Sequence, residues 1–368
     1  MRELADEPLA PRTTLEIGGA ARRLLVAETE EEIVGLLAGV DGERPVVILG
    51  GGSNVVIADR GIEDTVLLVA TRGVAASAVA AELIDVHAAA GEPWDELVAH
   101  CVAEGLTGVE CLSGIPGSVG AAPLQNIGAY GQQVGDVVEQ VRAFDRASGQ
   151  VVVLPRQACG FGYRRSVFKV ERRGRYVVLG VTLRLGRRRP AAPRYDELRR
   201  ALAGADEPEL TPQRIRAAVL QLRRAKSMVV DPADPHSRSV GSFFLNPVVS
   251  SGEAAQIEQR ARRARLLEPD AELPRHPEGE TPDRVKLPAA WLIERAGFGR
   301  GLRRGGVGIS ASHALAIVNY DEGTAAEVLA LAGEIRAAVK SAFGVTLQTE
   351  PVLLGFTAAE LAPLCDGD

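Results

Sequence analysis

Lysine is scarce in this chain of 368 residues: of its 42 basic residues only those at 169, 226, 286 and 340 are lysine, and the rest are arginine. With so much alanine present, this fits a codon-usage bias. Aromatic residues are also few, at 4%, and the five histidines are scattered with no HExxH spacing. The four cysteines, at 101, 111, 159 and 365, show no CxxC spacing. That excludes a disulfide framework and a zinc pattern, so no metal is expected, and reduced thiols in a cytosolic protein are the simplest reading. No run approaches the roughly 18 apolar residues needed to cross a bilayer. The first residues, MRELADEPLAP, lack the apolar core of a secretory signal. A net charge of −6 leaves no global basic footprint for nucleic acid. The Arg-rich stretch 184–200 surrounds Gly186 and Pro190 and reads as a solvated loop.

What remains is ordinary globular composition, with 46% hydrophobic and 24% charged residues. The length suits two or three domains at roughly 150 residues each and can bury a core without disulfides or metal. Gly numbers 40, above common usage, which points to tight turns and close backbone approaches.

Periodicity predicts strands at 24–27, 45–49, 55–58, 66–70, 83–89, 176–185, 314–319 and 346–354, and a hairpin over 137–154 turning at 147–149. Helices are predicted after a Thr29/Glu32 capping box, over 93–104, from Thr211–Pro212 to about 226, and at 251–265, 288–297 and 323–342. The charged, Pro-rich segment 267–282 reads as an exposed loop. The series is α+β with several layers, not a regular βαβ repeat.

Five motifs carry candidate chemistry. LGGGSN (49–54) ends a strand in three glycines, whose N–H groups can form an anion nest. No helix follows and GK[ST] is missing, so neither a Rossmann site nor a P-loop fits; a tight turn also fits. SGIPGSVGAAPLQNIGAYG (113–131) is a long loop of small residues, suited to a flat ligand or to a purely structural role. FGYRRSVFK (161–169) offers planar guanidinium forks for a carboxylate or phosphate. Alternation along a strand would separate Tyr163 and Arg165 from Arg164 and Ser166, and an ordinary charged edge reads the same way. SVGSFFLNP (239–247) brackets Phe243 and Phe244 with Ser242 and Asn246. QTEPVLLG (348–355) sets Glu350 before a proline in an apolar strand, where a buried carboxylate needs a partner.

In this order the five motifs resemble the UDP-N-acetylenolpyruvoylglucosamine reductase family, the flavoenzymes also called UDP-N-acetylmuramate dehydrogenases, over roughly residues 12–355. The resemblance implies a two-part FAD-binding region of the vanillyl-alcohol-oxidase (PCMH) type, residues 1–71 and 72–226. A C-terminal α+β substrate-binding domain, 227–368, would follow, its last strand (346–355) returning toward the FAD site. It implies FAD on Gly50, Gly51, Gly52, Ser53 and Asn54, with the flavin along Gly114, Ile115, Pro116, Gly117, Gly120, Asn126 and Gly128. Arg164, Ser242 and Glu350 match the catalytic Arg, the proton-donating Ser and the catalytic Glu. Tyr163 matches on the substrate side. Tyr195, in PRYDEL, matches the Tyr that folds over the nucleotide in the longer form of the family, and Lys226 and Asn246 match contacts to the uridine diphosphate.

The implied reaction carries hydride from NADPH through FAD to the enolpyruvyl group of a nucleotide sugar in peptidoglycan synthesis. It would run in the cytoplasm, in a monomer with no nucleic-acid or membrane partner. The segment 227–239 is longer than in some relatives, which bears on the Lys226 match, and 267–282 has no implied role. Two other readings stay open: an FAD oxidase of the same wider fold with another substrate, and a non-catalytic nucleotide-sugar or FAD-binding module.

Overall fold

The longest strand, Tyr176–Gly186 (YVVLGVTLRLG), is apolar at most positions because it lies inside a sheet, paired antiparallel on both sides. In the computed structural model, which describes residues 1–39, 46–203, 209–268, 270–278 and 281–365, the chain divides into two units. The first comprises Met1–Glu7, Ala21–Gly52 and Glu63–Val229; the second comprises Pro8–Ala20, Ser53–Ile62 and Val230–Asp368.

The first unit holds a five-stranded antiparallel sheet in the order Gln150–Pro155, Val138–Asp145, Tyr176–Gly186, Leu83–Ala89, Val74–Ala80. It also holds strand Val46–Leu49, parallel to Ile62–Val69. One apolar core joins them: Leu25, Ile33 and Leu67 pack with Val86, Trp94, Val98, Phe144 and Val181, all buried. Burying each such side chain stabilises by about 1.5–3 kcal/mol. The predicted hairpin closes through Asp145, which accepts from the Ala147 N–H at 3.0 Å and takes a two-pronged bond from Arg175 at 2.8 and 2.7 Å. A small satellite cluster sets Leu198 and Leu202 of helix Asp196–Ala203 against Ile215, Ala218 and Val219 of helix Pro212–Arg224.

The second unit is built on helix Ala325–Phe343. A full capping box between Thr324 and Glu327 starts it, and Gly344 stops it at φ +74°. Its apolar face, including Val328, Ile335 and Phe343, packs on Phe243, Phe244, Leu292 and Ile317. The sheets are Ser239–Ser242, Ala316–Asn319, Val307–Ile309, Arg303–Arg304, and Val248–Ser250, Thr281–Lys286, His276–Glu278. Strand Val352–Leu354 runs parallel to Val55–Ile57.

Several expectations need correction. Thr29 caps helix Glu30–Ala38, but Glu32 returns to the Glu28 N–H at 2.8 Å, so half of the box forms. The segment 267–282 is not an exposed loop: Leu267 and Leu273 are buried, and strands form at His276–Glu278 and Thr281–Lys286. The stretch 184–200 is not one loop, since Arg184 lies within strand Tyr176–Gly186, bonded to Asp85 at 2.8 and 2.9 Å, and a helix starts at Asp196. The final strand is shorter than 346–354, because Pro351 has no N–H to donate. The strand expected from Pro45 begins, among the described residues, at Val46.

Candidate active site

Motifs that lie far apart in sequence are stitched together within each unit. In the first unit the glycines after strand Val46–Leu49 press on the 113–131 loop. A Cβ on Gly50 would meet Ser118 Oγ at 2.5 Å, and one on Gly51 would meet Gly117 Cα at 2.7 Å. A Cβ on Gly120 would meet Ala90 at 2.6 Å. These glycines therefore permit one loop to touch another, a structural reason beyond the approach of a ligand. Gly52, at φ +61°, turns the chain.

The 113–131 loop is also hydrogen-bonded to the start of helix Trp94–Ala103. The Trp94 N–H donates to Gly117 O at 2.9 Å, the Val119 N–H to Glu92 O at 2.8 Å and the Gly120 N–H to Ala90 O at 2.8 Å. Asp95 completes the bracket, accepting the Gly114 N–H at 2.6 Å and both Arg216 prongs at 2.5 and 2.9 Å. Burial pushes the Asp95 carboxyl up, but the Arg216 guanidinium, the Gly114 N–H and the Arg223 charge outweigh it and hold it below its ordinary range. Ile115 and Pro116 stand half-buried on the loop.

The FGYRRSVFK segment is a turn, so strand alternation does not govern it. Gly162 and Arg165 exchange backbone bonds at 3.0 and 3.2 Å, and Arg164 sits in the turn at φ +50°. Its guanidinium donates to Gly128 O at 3.2 Å and Asn126 O at 3.5 Å, and lies 6.0 Å from the Tyr163 ring. Asn126 is buried at φ +48°, donating to Gly162 O at 2.9 Å and accepting the Gly135 N–H at 2.8 Å. Ser166 bonds Leu124 O, and Lys169 reaches Gln125 at 3.5 Å.

Tyr195 is 55% exposed and meets Tyr130 edge-on, ring centres 6.2 Å apart. Lys226 pairs with Glu197 at 2.6 Å and lies 5.9 Å from the Tyr130 ring. Burial, aided by the Glu197 charge, pushes the Tyr130 hydroxyl up to about 12.

In the second unit the SFFL stretch lies between two neighbours. Ser242 pairs with Ala316 across a bulge, and the Phe243 N–H donates to Leu315 O at 2.8 Å. On the other side Phe244 pairs with Thr349, the Glu350 N–H donates to Phe243 O and the Leu245 N–H to Gln348 O, both at 2.9 Å. Ser242 and Glu350 thus sit on adjacent antiparallel segments, one register step off alignment. Asn54 Nδ2 donates to Glu350 O at 3.4 Å, which ties the end of LGGGSN to the same place. Glu350 is buried. Asn246 uses its Oδ1 on the Ala289 N–H at 2.9 Å, at the start of helix Ala289–Arg295.

Sequence reasoning missed Asp95, Arg216, Arg223, Tyr130 and Glu197. Arg216 and Arg223 are seven apart on one helix, two turns along the same face, and that spacing was a readable signal. Burial pulls the Arg223 guanidinium below its ordinary range, and its Nε finds no hydrogen-bond partner among the described residues. A Cβ on Gly114 would approach that Nε to 3.3 Å. The Arg223 Nη2 donates to Met228 O at 2.7 Å, and crowded glycine loops beside a buried cation with one unpaired donor suit a flat, anionic cofactor such as FAD. Cys101, Cys111 and Cys159 are pushed up to about 12, chiefly by burial, which makes them inert packing groups. Among the described residues, no group of His, Cys, Asp and Glu could hold a metal, and no helix is long and apolar enough to cross a membrane.

The chain matches the family profile of an FAD binding domain over residues 21–155, and that of the UDP-N-acetylenolpyruvoylglucosamine reductase C-terminal domain over 232–354. The reductase of Thermobifida fusca is 47% identical over 95% of this chain and 97% of its own length. That of Streptomyces coelicolor is 47% identical over 96% and 91%. The crystal structure of the Thermus caldophilus reductase superposes with a TM-score of 0.60 at 25% identity, covering 96% of this chain and 98% of its own. These matches agree with the fold expected, an FAD-binding region followed by an α+β C-terminal domain. This chain belongs to the UDP-N-acetylenolpyruvoylglucosamine reductase family.

Proposed function

We infer that this chain reduces UDP-N-acetylglucosamine enolpyruvate to UDP-N-acetylmuramate in peptidoglycan synthesis, as an FAD-dependent oxidoreductase using NADPH. The observation that carries the reading is the match to reductases of this name along nearly the full length of both chains. We assign residues 1–71 and 72–226 to FAD and 227–368 to the substrate. We further propose that the enzyme works in the cytoplasm as a monomer, without nucleic acid.

FAD, when bound, would supply hydride transfer between NADPH and the enolpyruvyl group. The chain supplies binding on Gly50–Asn54 and on the 114–128 loop. Negative charge that builds beside the substrate carboxylate falls to Arg164. Its guanidinium is held by two backbone carbonyls, so it need not reorganise as the charge develops. Ser242 gives the proton that completes the lactyl ether. A hydroxyl is a weak acid, and the step works because the carbanion is strongly basic and the hydroxyl is held close. Glu350 is assigned to the same charge, which it stabilises in its protonated form or through water, and Tyr163, Tyr195, Lys226 and Asn246 bind the nucleotide sugar.

The test is anaerobic. In Ser242→Ala, bleaching of the flavin by NADPH should keep its rate, while its return on adding the enolpyruvyl substrate slows by about 10²–10⁴-fold. Equal slowing of both halves would make Ser242 a binding or folding residue instead.

A further inference from the structure

The ammonium assigned to the substrate diphosphate already has a carboxylate partner. Lys226 Nζ meets Glu197 Oε2 at 2.6 Å, with the two side chains 35% and 43% exposed. Glu197 lies in the first turn of helix Asp196–Ala203, two residues after Tyr195. The neighbouring carboxylate, Asp196, is taken by Arg199. Glu197 is thus the acidic group of this helix that faces Lys226.

The helix is held unevenly. Its later part is anchored, with Leu198 and Leu202 in the satellite cluster and Leu202 O accepting from Arg214 at 2.6 Å. Ahead of Leu198, its start is tied by contacts that include the Lys226–Glu197 pair and the edge of Tyr195 on Tyr130. A half-exposed ion pair is weak and readily exchanged. A lysine is a compact point charge that a diphosphate can take over.

We propose that Glu197 is a competing counter-ion for Lys226: a nucleotide diphosphate engages Lys226 by displacing Glu197, which couples the start of helix Asp196–Ala203, and Tyr195 with it, to nucleotide binding. The proposal rests on the reading of Lys226 as a diphosphate contact. Glu197 then acts as a positioning residue. Its charge weakens binding of the nucleotide and releases the Tyr195 end of the helix when the nucleotide arrives.

The experiment titrates the FAD-loaded, full-length chain with UDP by calorimetry at low and at physiological salt. Glu197→Gln keeps the size and helix preference of the side chain. It should tighten UDP binding by about three- to tenfold, with the gain shrinking as salt rises. Lys226→Gln should weaken binding by about tenfold, and adding Glu197→Gln to it should then change nothing further, because the two act through one contact. Unchanged or weaker UDP binding in Glu197→Gln, with Lys226→Gln still weakened, overturns the competition while leaving the role of Lys226 intact. UDP binding that survives Lys226→Gln undamaged overturns both.

Discussion

Replacing Asp95 with Asn removes the charge that fastens the start of the 113–131 loop and leaves the shape of the side chain alone. Asp95 accepts one backbone N–H, from Gly114, and a two-pronged bond from Arg216, a guanidinium only 17% exposed. A hydrogen bond to a charged group contributes about 1.5–3 kcal/mol, and stripping the partner from a buried pair costs about 3–5 kcal/mol. The Asp95 side chain is 36% exposed, so solvent screening reduces that figure. An amide still accepts one of the bonds. The expected loss is about 2–3 kcal/mol, which lowers Tm by roughly 5–10 °C in a unit of this size. The carboxyl lies below its ordinary range, so its stabilisation is fully present above the unfolded pKa of about 4 and disappears as pH falls through the native value. Thermal unfolding followed by release of flavin fluorescence should therefore show a large gap between the two proteins at pH 7 that narrows in acid. FAD affinity should fall with it, since an amide holds the Gly114 N–H and Arg216 together less tightly than a carboxylate does. A Tm within a degree of wild type at pH 7 would refute the claim that charge holds this loop.

Three further outcomes are expected. Arg164→Lys loses the planar fork that spans two carbonyls, so the substrate half-reaction should slow by about 10²–10³-fold while reduction by NADPH persists, as single-turnover absorbance would show. Gly51→Ala puts a methyl group 2.7 Å from Gly117 Cα, and the purified protein should show substoichiometric flavin in its absorbance ratio, with a stability loss of about 1–3 kcal/mol. Leu273→Ala, in the segment that looked like an exposed loop, should cost about 2–4 kcal/mol in denaturant unfolding, because that side chain is buried.

Elements with a clear period were legible. Strand Leu83–Ala89 and helix Trp94–Ala103 show their apolar faces in the sequence and fall where the pattern places them. Two elements carry no such mark. Val74–Ala80 (VAASAVA) is exposed throughout and is a strand because its backbone pairs with Leu83–Ala89. Helix Asp196–Ala203 buries two leucines in an Arg-rich context, and its partner face lies on a later helix. Strands in the 267–282 segment pair through the backbone, which composition does not report.

At the site, the sequence displays residue types but conceals the conformation that makes them useful. Asn126, Tyr130 and Arg164 all take positive φ values that glycine would adopt more easily. Such a backbone costs about 1–3 kcal/mol per residue and persists only where surroundings over-determine it. Here they do. Asn126 is tied by both ends of its amide, and Arg164 is closed in a turn by two backbone bonds while its side chain is held by Gly128 and Asn126. Glycine would relieve the strain at 164 and remove the guanidinium. The chain keeps the side chain and bears the strain, as the role proposed for Arg164 requires. Strand alternation, a rule about unstrained backbone, does not describe such a turn.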